Sequence, residues 1–533
     1  MANGSQAVAE SAIGNVFLES VNPATGEVMS RVEGTPLAAL PDFFKRARDA
    51  QLRWQDWPVR DRCRSLRHLR DAIFEARDEI VDLVTRESGK PRIEAIFAEL
   101  MLALDTADFL SRHANAWLRS QRVPHHNLAL KTKSGCLTFE PHGVVAIISP
   151  WNYPFAIPML QIIAAVVAGN AVLLKASELT PATGALVADL FRRANFPLNL
   201  VQAVQGGVGI GSALIEAAPD KVFFTGSVAT GTRIAEACAQ KLIPSVLELG
   251  GKDAMIVLAD ADLNAASSAA VWGGFTNCGQ ACLSVERIYV HRDVAQRFID
   301  LCIAKTKKLR LGPASDPDAE IGPMIRLGQV EKVEEQLRDA TSRGAAILIG
   351  GNRRPDLGPT FLEPVIIAHV DHSMQLMRAE TFGPVIAIQI VSTADEAVAL
   401  ANDSPFGLSG SVWTKSATRA REIASRLRVG SVMINDVASY YGISEAPHGG
   451  RRASGWGRTH SRFGLLEMVQ VKYVDVDHLP RIPKAWWYGY SRDLAAAAGR
   501  FVQFMFAPSV QQRLKALAGK HNARGVVFRR DRI

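Results

Sequence analysis

Between residues 43 and 120 apolar side chains recur every three or four positions, as at Leu66, Leu69 and Ile73 and again at Ile80, Leu83 and Val84. This spacing predicts a run of amphipathic helices. From residue 144 the pattern changes: 144–149, 171–175, 200–204 and 221–225 are largely apolar runs of strand length, with helical stretches between most of them. Apolar strands alternating with helices predict a parallel sheet covered on both faces, which binds ligands beyond the carboxyl ends of its strands. A second alternating stretch begins near 254–257 and runs to about 434, with strands at 287–290 and 385–390, and predicts a second α/β domain. The most apolar segment, 159–174, is interrupted by Gln161, Gly169 and Asn170 and falls short of the ~20 apolar residues a bilayer span needs. It reads as a buried helix running into a strand. No repeat of solenoid period is visible.

A chain of 533 residues exceeds the size at which one core keeps growing, so two or more packed units are expected. With 48% hydrophobic and 21% charged residues it falls among globular chains rather than disordered or fibrous ones. The formal charge of +8 changes meaning once localised. After residue 477 eleven Lys or Arg face two Asp, a net of +9, which leaves 50 basic and 51 acidic residues, a net of −1, in the body. The body therefore gives no reason to expect a nucleic acid partner. Six cysteines without a CxxC pair argue against a disulfide framework and a structural zinc site, and favour a reducing compartment. The twelve histidines show no metal-ligand spacing, so no metal is expected. Residues 1–6 lack the basic start of a secretory signal, which makes the expected location cytoplasmic.

Four short segments carry the candidate chemistry. Gly279-Gln280-Ala281-Cys282 offers a thiol on a Gly-containing bend. The others are Pro150-Trp151-Asn152-Tyr153, Glu248-Leu249-Gly250-Gly251 and Glu380-Thr381-Phe382-Gly383-Pro384. A cysteine attacks carbonyls as its thiolate, so its pKa of about 8.5 must fall or a base must help. The alkoxide formed on an aldehyde needs donors, and the Asn152 amide with the Cys282 backbone N–H supplies two. Glu248, before two glycines that let the chain turn, is the best candidate to activate water against a thioester. Asn152, Lys175, Glu178 and the Thr225-Gly226-Ser227 turn all lie just past strand ends and converge on one crevice. The run from Gly206 to Gly211 does not match GxGxxG in its usual setting and is a weak dinucleotide signal. Lys175 and Glu178 after a strand are a stronger one. A carboxylate that accepts from a ribose 2′-hydroxyl would repel a 2′-phosphate, which favours NAD over NADP, the alternative.

Together these segments resemble the aldehyde dehydrogenase superfamily, from Asn22-Pro23-Ala24-Thr25-Gly26-Glu27 to about Val474. The branch they resemble includes succinate-semialdehyde dehydrogenases and enzymes for carotenoid-derived aldehydes. The resemblance implies an α/β fold with a Rossmann-type cofactor domain (1–121 and 142–247), an α/β catalytic domain (248–458) and a β-hairpin oligomerisation arm (122–141 and 459–477), followed by a basic, aromatic extension (478–533). It implies Cys282 as nucleophile, Glu248 as base and Asn152 as oxyanion donor. Lys175 and Glu178 then meet the adenosine ribose, Gly226 and Ser227 the pyrophosphate, and Trp151, Glu380 and Phe382 complete the cofactor site. It also implies a homodimer or homotetramer. By the same correspondence Tyr153, Ile157 and Leu160 line the substrate entrance and Tyr440 or Tyr441 closes it. These side chains favour an apolar aldehyde. A semialdehyde substrate would instead require Arg451 or Arg452 at the tunnel mouth, and a third reading is a non-catalytic binding or structural member.

Blander readings stand beside some residues. Cys278 reads as a packed neighbour and Arg287 as structural. His448 stands where relatives usually carry Phe or Met, which bears on packing. The extension, with Trp486, Trp487, Tyr488, Tyr490, the 501–506 apolar stretch and Arg529-Arg530-Asp531-Arg532, has the makings of an anchor on an anionic membrane surface. Packing across the subunit arm is the equal alternative.

Overall fold

The computed structural model describes residues 17–518, so the readings made on residues 1–6 and on Arg529 to Arg532 lie outside the described residues. The chain forms two compact units, one drawn from residues up to 119 with 138–472, the other from 120–137 with 473 onward.

The larger unit is α/β and holds two large sheets beside a two-stranded antiparallel one, Phe17–Val21 with Val28–Glu33. The first contains six strands in the order Gly455–Trp456, Ser245–Glu248, Lys221–Thr225, Val144–Ile148, Ala171–Lys175, Val201–Val204. All neighbours run parallel except the short Gly455–Trp456 strand, which is antiparallel to Ser245–Glu248. Register aligns the strand ends: Ile148 lies opposite Lys175, Lys175 opposite Val204, and Thr225 opposite Glu248. Chain order reverses at Val144–Ile148, whose neighbours are the next strand in sequence on one side and Lys221–Thr225 on the other. Such a reversal opens a crevice outside the carboxyl ends. The second sheet has seven strands, ordered Ala346–Ile349, Val365–Ala368, Val385–Val391, Val285–His291, Asp253–Val257, Ser409–Trp413, Ser431–Ile434. Only Ala346–Ile349 is antiparallel to its neighbour. The strands Val144–Ile148 and Ala171–Lys175, apolar except for the terminal Lys175, are buried along their whole length, as strands covered on both faces must be.

Helices Leu40–Trp54, Val59–Glu75, Arg77–Ser88 and Met101–Trp117 account for the three-and-four spacing of the amino-terminal region. A π-helical turn, Ile96–Leu100, interrupts the pattern before the last of them and carries Glu99, which is wholly buried. Its carboxylate accepts from the backbone N–H of Phe155 (3.0 Å) and of Ala156 (2.7 Å), and from Lys90 Nζ (2.5 Å). The core helix Ala156–Ala168 has every residue buried and no local side-chain cap, so this distant carboxylate satisfies its first free N–H groups. Gly169, in the left-handed region at φ 103°, ends that helix, and the chain enters strand Ala171–Lys175.

A three-stranded sheet is ordered Val469–Asp477, Lys133–Pro141, Gln121–Val123; its 121–123, 133–137 and 473–477 portions belong to the smaller unit, where Lys133 Nζ lies 2.5 Å from Asp475. Two helices follow, Arg492–Phe506 and Val510–Ala518, neither with a buried residue. Among the described residues no helix is long and apolar enough to cross a membrane.

Glu99→Ala strands the buried Lys90 charge and two helix N–H groups, so it is expected to lower stability by about 3–5 kcal/mol, read from the urea unfolding midpoint.

Candidate active site

Around Cys282 the chain makes three consecutive left-handed residues, Asn277 (φ 51°), Cys278 (φ 56°) and Gly279 (φ 69°), between helix Leu263–Phe275 and strand Val285–His291. Such a conformation persists only where the surroundings over-determine it. Thr276 Oγ1 and Asn277 N donate to the Glu94 carboxylate at 2.9 Å. Asn277 Nδ2 donates to the carbonyls of Asn152 (3.0 Å) and Gln280 (3.2 Å). Gln280 spans the bend, donating Nε2 to the Asn277 carbonyl (3.0 Å) and accepting from Ile325 N (2.9 Å). A Cβ at Gly279 would stand 2.1 Å from the Gly383 carbonyl oxygen, so only glycine fits, and the 380–384 segment braces the bend. Cys278 faces inward and is buried in the core of the second sheet.

Asn152 sits on the loop leaving strand Val144–Ile148. Its Nδ2 donates one hydrogen to the Gln280 carbonyl (3.0 Å), which fixes the amide and leaves its second N–H without a partner among the described residues. Its own carbonyl accepts from the buried Lys90 Nζ (2.8 Å). Asn152, Cys282 and Glu248, at the end of its strand, line one crevice of about 630 Å³.

The electrostatics of that crevice are set by burial of like charges. Burial pushes the Cys282 thiol well up, and Asp253, Glu380 and Glu248 push it further. Burial moves Asp253 up to about 8 against two hydrogen bonds from Ser409. Glu380 rises to about 7 through burial and the charge of Glu286, although Gly251 N donates to it at 3.0 Å. Burial likewise lifts the Glu248 carboxyl well above its usual range, with Arg458 acting in the opposite direction. The carboxyls and the thiol thus discourage one another from ionising. A Cβ at Gly250 would lie 2.5 Å from the Glu380 oxygens, so any larger residue there would displace that carboxylate.

The rest of the crevice holds Trp151, Lys175, Glu178, Gly226, Ser227 and Phe382. Lys175 Nζ donates to Glu178 Oε2 at 2.8 Å. Burial pushes the Glu178 carboxyl up, but the Lys175 charge and hydrogen bond outweigh it and hold the group below its usual range. Ser227 caps helix Val228–Gln240, accepting from Thr230 N, so that helix opens onto the crevice with its partial positive charge. Phe382 stands edge-on to Trp151, centroids 5.5 Å apart, and the Glu286 carboxylate fixes it by accepting from Thr381 N and Phe382 N. A Cβ at Gly207 or Gly211 would project into open space. An ionised carboxylate beside a lysine, a helix amino terminus and a paired aromatic platform fit a dinucleotide.

Of the three residues expected at the substrate entrance, Ile157 lines this crevice. The Tyr153 ring lies 4.0 Å from Lys90 Nζ. Leu160 packs with Leu102 and Ala156 around Tyr441, which also packs in the cluster beside Cys282. Tyr440 is turned to His448, which approaches Glu248. Arg287 donates twice to the Lys252 carbonyl and once to that of Ala401, a structural role. Arg451 and Arg452 are exposed, Arg452 donating to the Asn402 carbonyl.

Sequence reasoning missed Lys90, Glu94, Glu99, Asn277 and Gln280, and read His448 only as packing. Charged residues in a helical run look solvated, and nothing local marks them as buried.

The profile described as the aldehyde dehydrogenase family matches residues 9–474. A protein named 4,4′-diapolycopene aldehyde oxidase, from Methylomonas sp, is 36% identical over 92% of this chain and 91% of its own. A Mycobacterium ulcerans protein provisionally named succinate-semialdehyde dehydrogenase (NADP(+)) 2 is 38% identical over 83% of this chain and 86% of its own. The crystal structure of an NAD-dependent aldehyde dehydrogenase from Sinorhizobium meliloti superposes with a TM-score of 0.84, at 33% identity, over 89% of this chain and 93% of that one. Betaine aldehyde dehydrogenase from Staphylococcus aureus in complex with NAD+ gives 0.83 at 30% identity, over 89% and 94%.

Iodoacetamide labelling of Cys282 in the cofactor-free protein is expected to be slow at pH 7 and to accelerate into the alkaline range. Glu380→Gln removes one opposing carboxyl and is expected to move that profile to lower pH, measured by mass spectrometry of the labelled peptide.

Proposed function

The chain belongs to the aldehyde dehydrogenase family, and from that premise we propose that it oxidises an apolar aldehyde to its carboxylic acid with NAD, through a thioester on Cys282. The carrying observation is that Cys282, Asn152 and Glu248, from three separate segments, line one crevice with a dinucleotide donor set. The Cys282 sulfur bonds to the carbonyl carbon as the thiol proton passes to a neighbouring carboxylate. The resulting alkoxide accepts from the second Asn152 N–H and the Cys282 backbone N–H, groups already oriented before reaction. The carbon-bound hydrogen must then leave as hydride while the alkoxide electrons re-form the carbonyl of the Cys282 thioester; NAD, which Lys175, Glu178, Ser227 and Phe382 would hold, would supply the acceptor. Glu248 then takes a proton from water as its oxygen adds to the thioester carbon, the C–S bond breaks, the sulfur is reprotonated and the acid leaves.

Glu178 supports NAD: an ionised carboxylate at the end of the Lys175 strand repels a 2′-phosphate. Arg326, close enough to act on Glu178, keeps NADP as the alternative, and the mycobacterial relatives are named for it. The surroundings of Cys282 support an apolar substrate, since Leu283, Leu408, Met433, Tyr441 and Ala446 cluster with it while Arg451 and Arg452 stay exposed. The relative named as a diapolycopene aldehyde oxidase favours the same class. Family membership supports a homodimer or homotetramer. Exposed Trp486, Trp487, Tyr488, Phe506, Leu514 and Leu517 support contact of the extension with an anionic membrane surface.

NADH formation is the test. Decanal is expected to exceed succinate semialdehyde in kcat/KM by on the order of 100-fold, because an unpaired carboxylate would be desolvated in the channel. The reverse order would carry the semialdehyde reading, and no NADH with any aldehyde would carry a non-catalytic one. Cys282→Ala is expected to abolish turnover, and Glu178→Gln to raise the NADP to NAD ratio of kcat/KM by about tenfold. The full chain is expected to float with phosphatidylserine liposomes and a chain ending at 477 to stay behind; equal behaviour would favour packing of the extension on a second subunit.

A further inference from the structure

The mechanism leaves unused a buried cluster behind Glu248. His448, Tyr440, Tyr441 and His460 are packed together, with Tyr441 edge-on to both imidazoles at 4.8 and 4.6 Å between centroids. Neither Glu248 carboxyl oxygen has a hydrogen-bond partner among the described residues, although the side chain is almost wholly buried. Nε2 of His448 lies 3.4 Å from Oε2 of Glu248, an approach that a small torsion of the carboxyl converts into a hydrogen bond. The other ring nitrogen, Nδ1, is 2.9 Å from the Tyr440 hydroxyl. The histidine backbone is pinned as well: its N–H donates to the Thr459 carbonyl (2.9 Å) and its carbonyl accepts from Thr459 N (2.8 Å).

We propose that His448 is a positioning residue for Glu248: Tyr440 donates its hydroxyl proton to Nδ1, which leaves the proton on Nε2 facing Oε2 of the carboxylate. This inference rests on the reading of Glu248 as the base. A neutral imidazole clamped in one tautomer gives the carboxylate a donor in a site that otherwise supplies none, and it holds the carboxylate against the crevice wall where Cys282 lies.

Both partners have the protonation the arrangement needs. Burial, then His460 and Arg458, pushes the His448 imidazole well below its usual range, so it is neutral. Burial pushes the Tyr440 phenol well above its usual range, with Asp253, Cys282 and Glu248 adding to the effect and a hydrogen bond with Ser431 opposing it, so it keeps its proton. The groups facing Glu248 are His448, Cys282, Tyr440 and Tyr441, with Arg458 opposing and Glu467 reinforcing its protonation. A donor on the carboxylate favours the charged form, so its loss raises the pH at which the base becomes competent.

The test separates acylation from hydrolysis, using decanal and NAD: the stopped-flow NADH burst reports thioester formation and single-turnover decanoate release reports its hydrolysis. In His448→Phe the burst amplitude is expected to persist while the acid limb of the hydrolysis profile moves up by about one pH unit. His448→Gln, whose amide can donate to the carboxylate, is expected to return the limb to within about half a unit of wild type. A full burst with an unmoved limb in His448→Phe would overturn the proposal, as would an equal shift in His448→Gln. Glu248→Gln is the separate arm: wild-type hydrolysis there would overturn the base reading itself, and this inference with it, whereas lost hydrolysis alongside an unmoved His448→Phe limb overturns this inference alone.

Discussion

The hydrogen bond from the Asn152 amide to the Gln280 carbonyl ties the loop at the end of the first sheet's central strand to the bend that carries Cys282. Around it Asn277 bonds both carbonyls and Lys90 donates to that of Asn152. Three left-handed residues in succession would not hold their shape in isolation, and here the conformation is maintained by the bonds of the Asn277 amide N–H, the Asn277 side chain and the Gln280 side chain. In a low-dielectric interior such a network is stronger than the sum of its parts, and a single missing member leaves others orphaned. The same bonds orient Asn152, so the amide proton left over points from a rigid platform.

The network explains an unusual concentration of buried charge. Lys90 is needed under the Asn152 carbonyl, Glu99 neutralises Lys90 and caps the core helix, and Glu94 holds the start of the bend. Each of these side chains answers the desolvation of another, and none is useful alone. A second consequence falls on the crevice itself. Asp253, Glu380 and Glu248 all oppose ionisation of the half-buried Cys282 thiol, so ionisation of any one group is felt by the others.

Much of the scaffold was legible from the residues. The apolar runs at 144–148 and 171–175 are strands because covered parallel strands admit no polar face, and 159–174 proved to be a buried helix and a strand for the reason its composition suggested. Cys282, Asn152, Glu248, Lys175 and Glu178 stood out because each sits near a strand end or a glycine bend, where sequence signals are strongest, and the structure brings all five to one crevice. Tyr153, Ile157 and Leu160 were grouped by correspondence with the family's substrate entrance; Ile157 lines the crevice, while the Tyr153 ring lies against Lys90 and Leu160 packs beside Tyr441, surroundings that no local pattern announces.

What the sequence determined by itself was local: hydrophobic period, turn chemistry and the residue types a thiol-based oxidation demands. Those follow from interactions between residues a few positions apart. The tertiary structure decided which polar side chains are buried and what faces them. Glu99 meets Phe155, Gln280 meets Ile325 and His448 meets Glu248 across separations of 56, 45 and 200 residues, and each contact depends on how distant segments pack rather than on any pattern along the chain. The cysteine was readable because its bend is local; the proton balance around it was not, because it belongs to the packing.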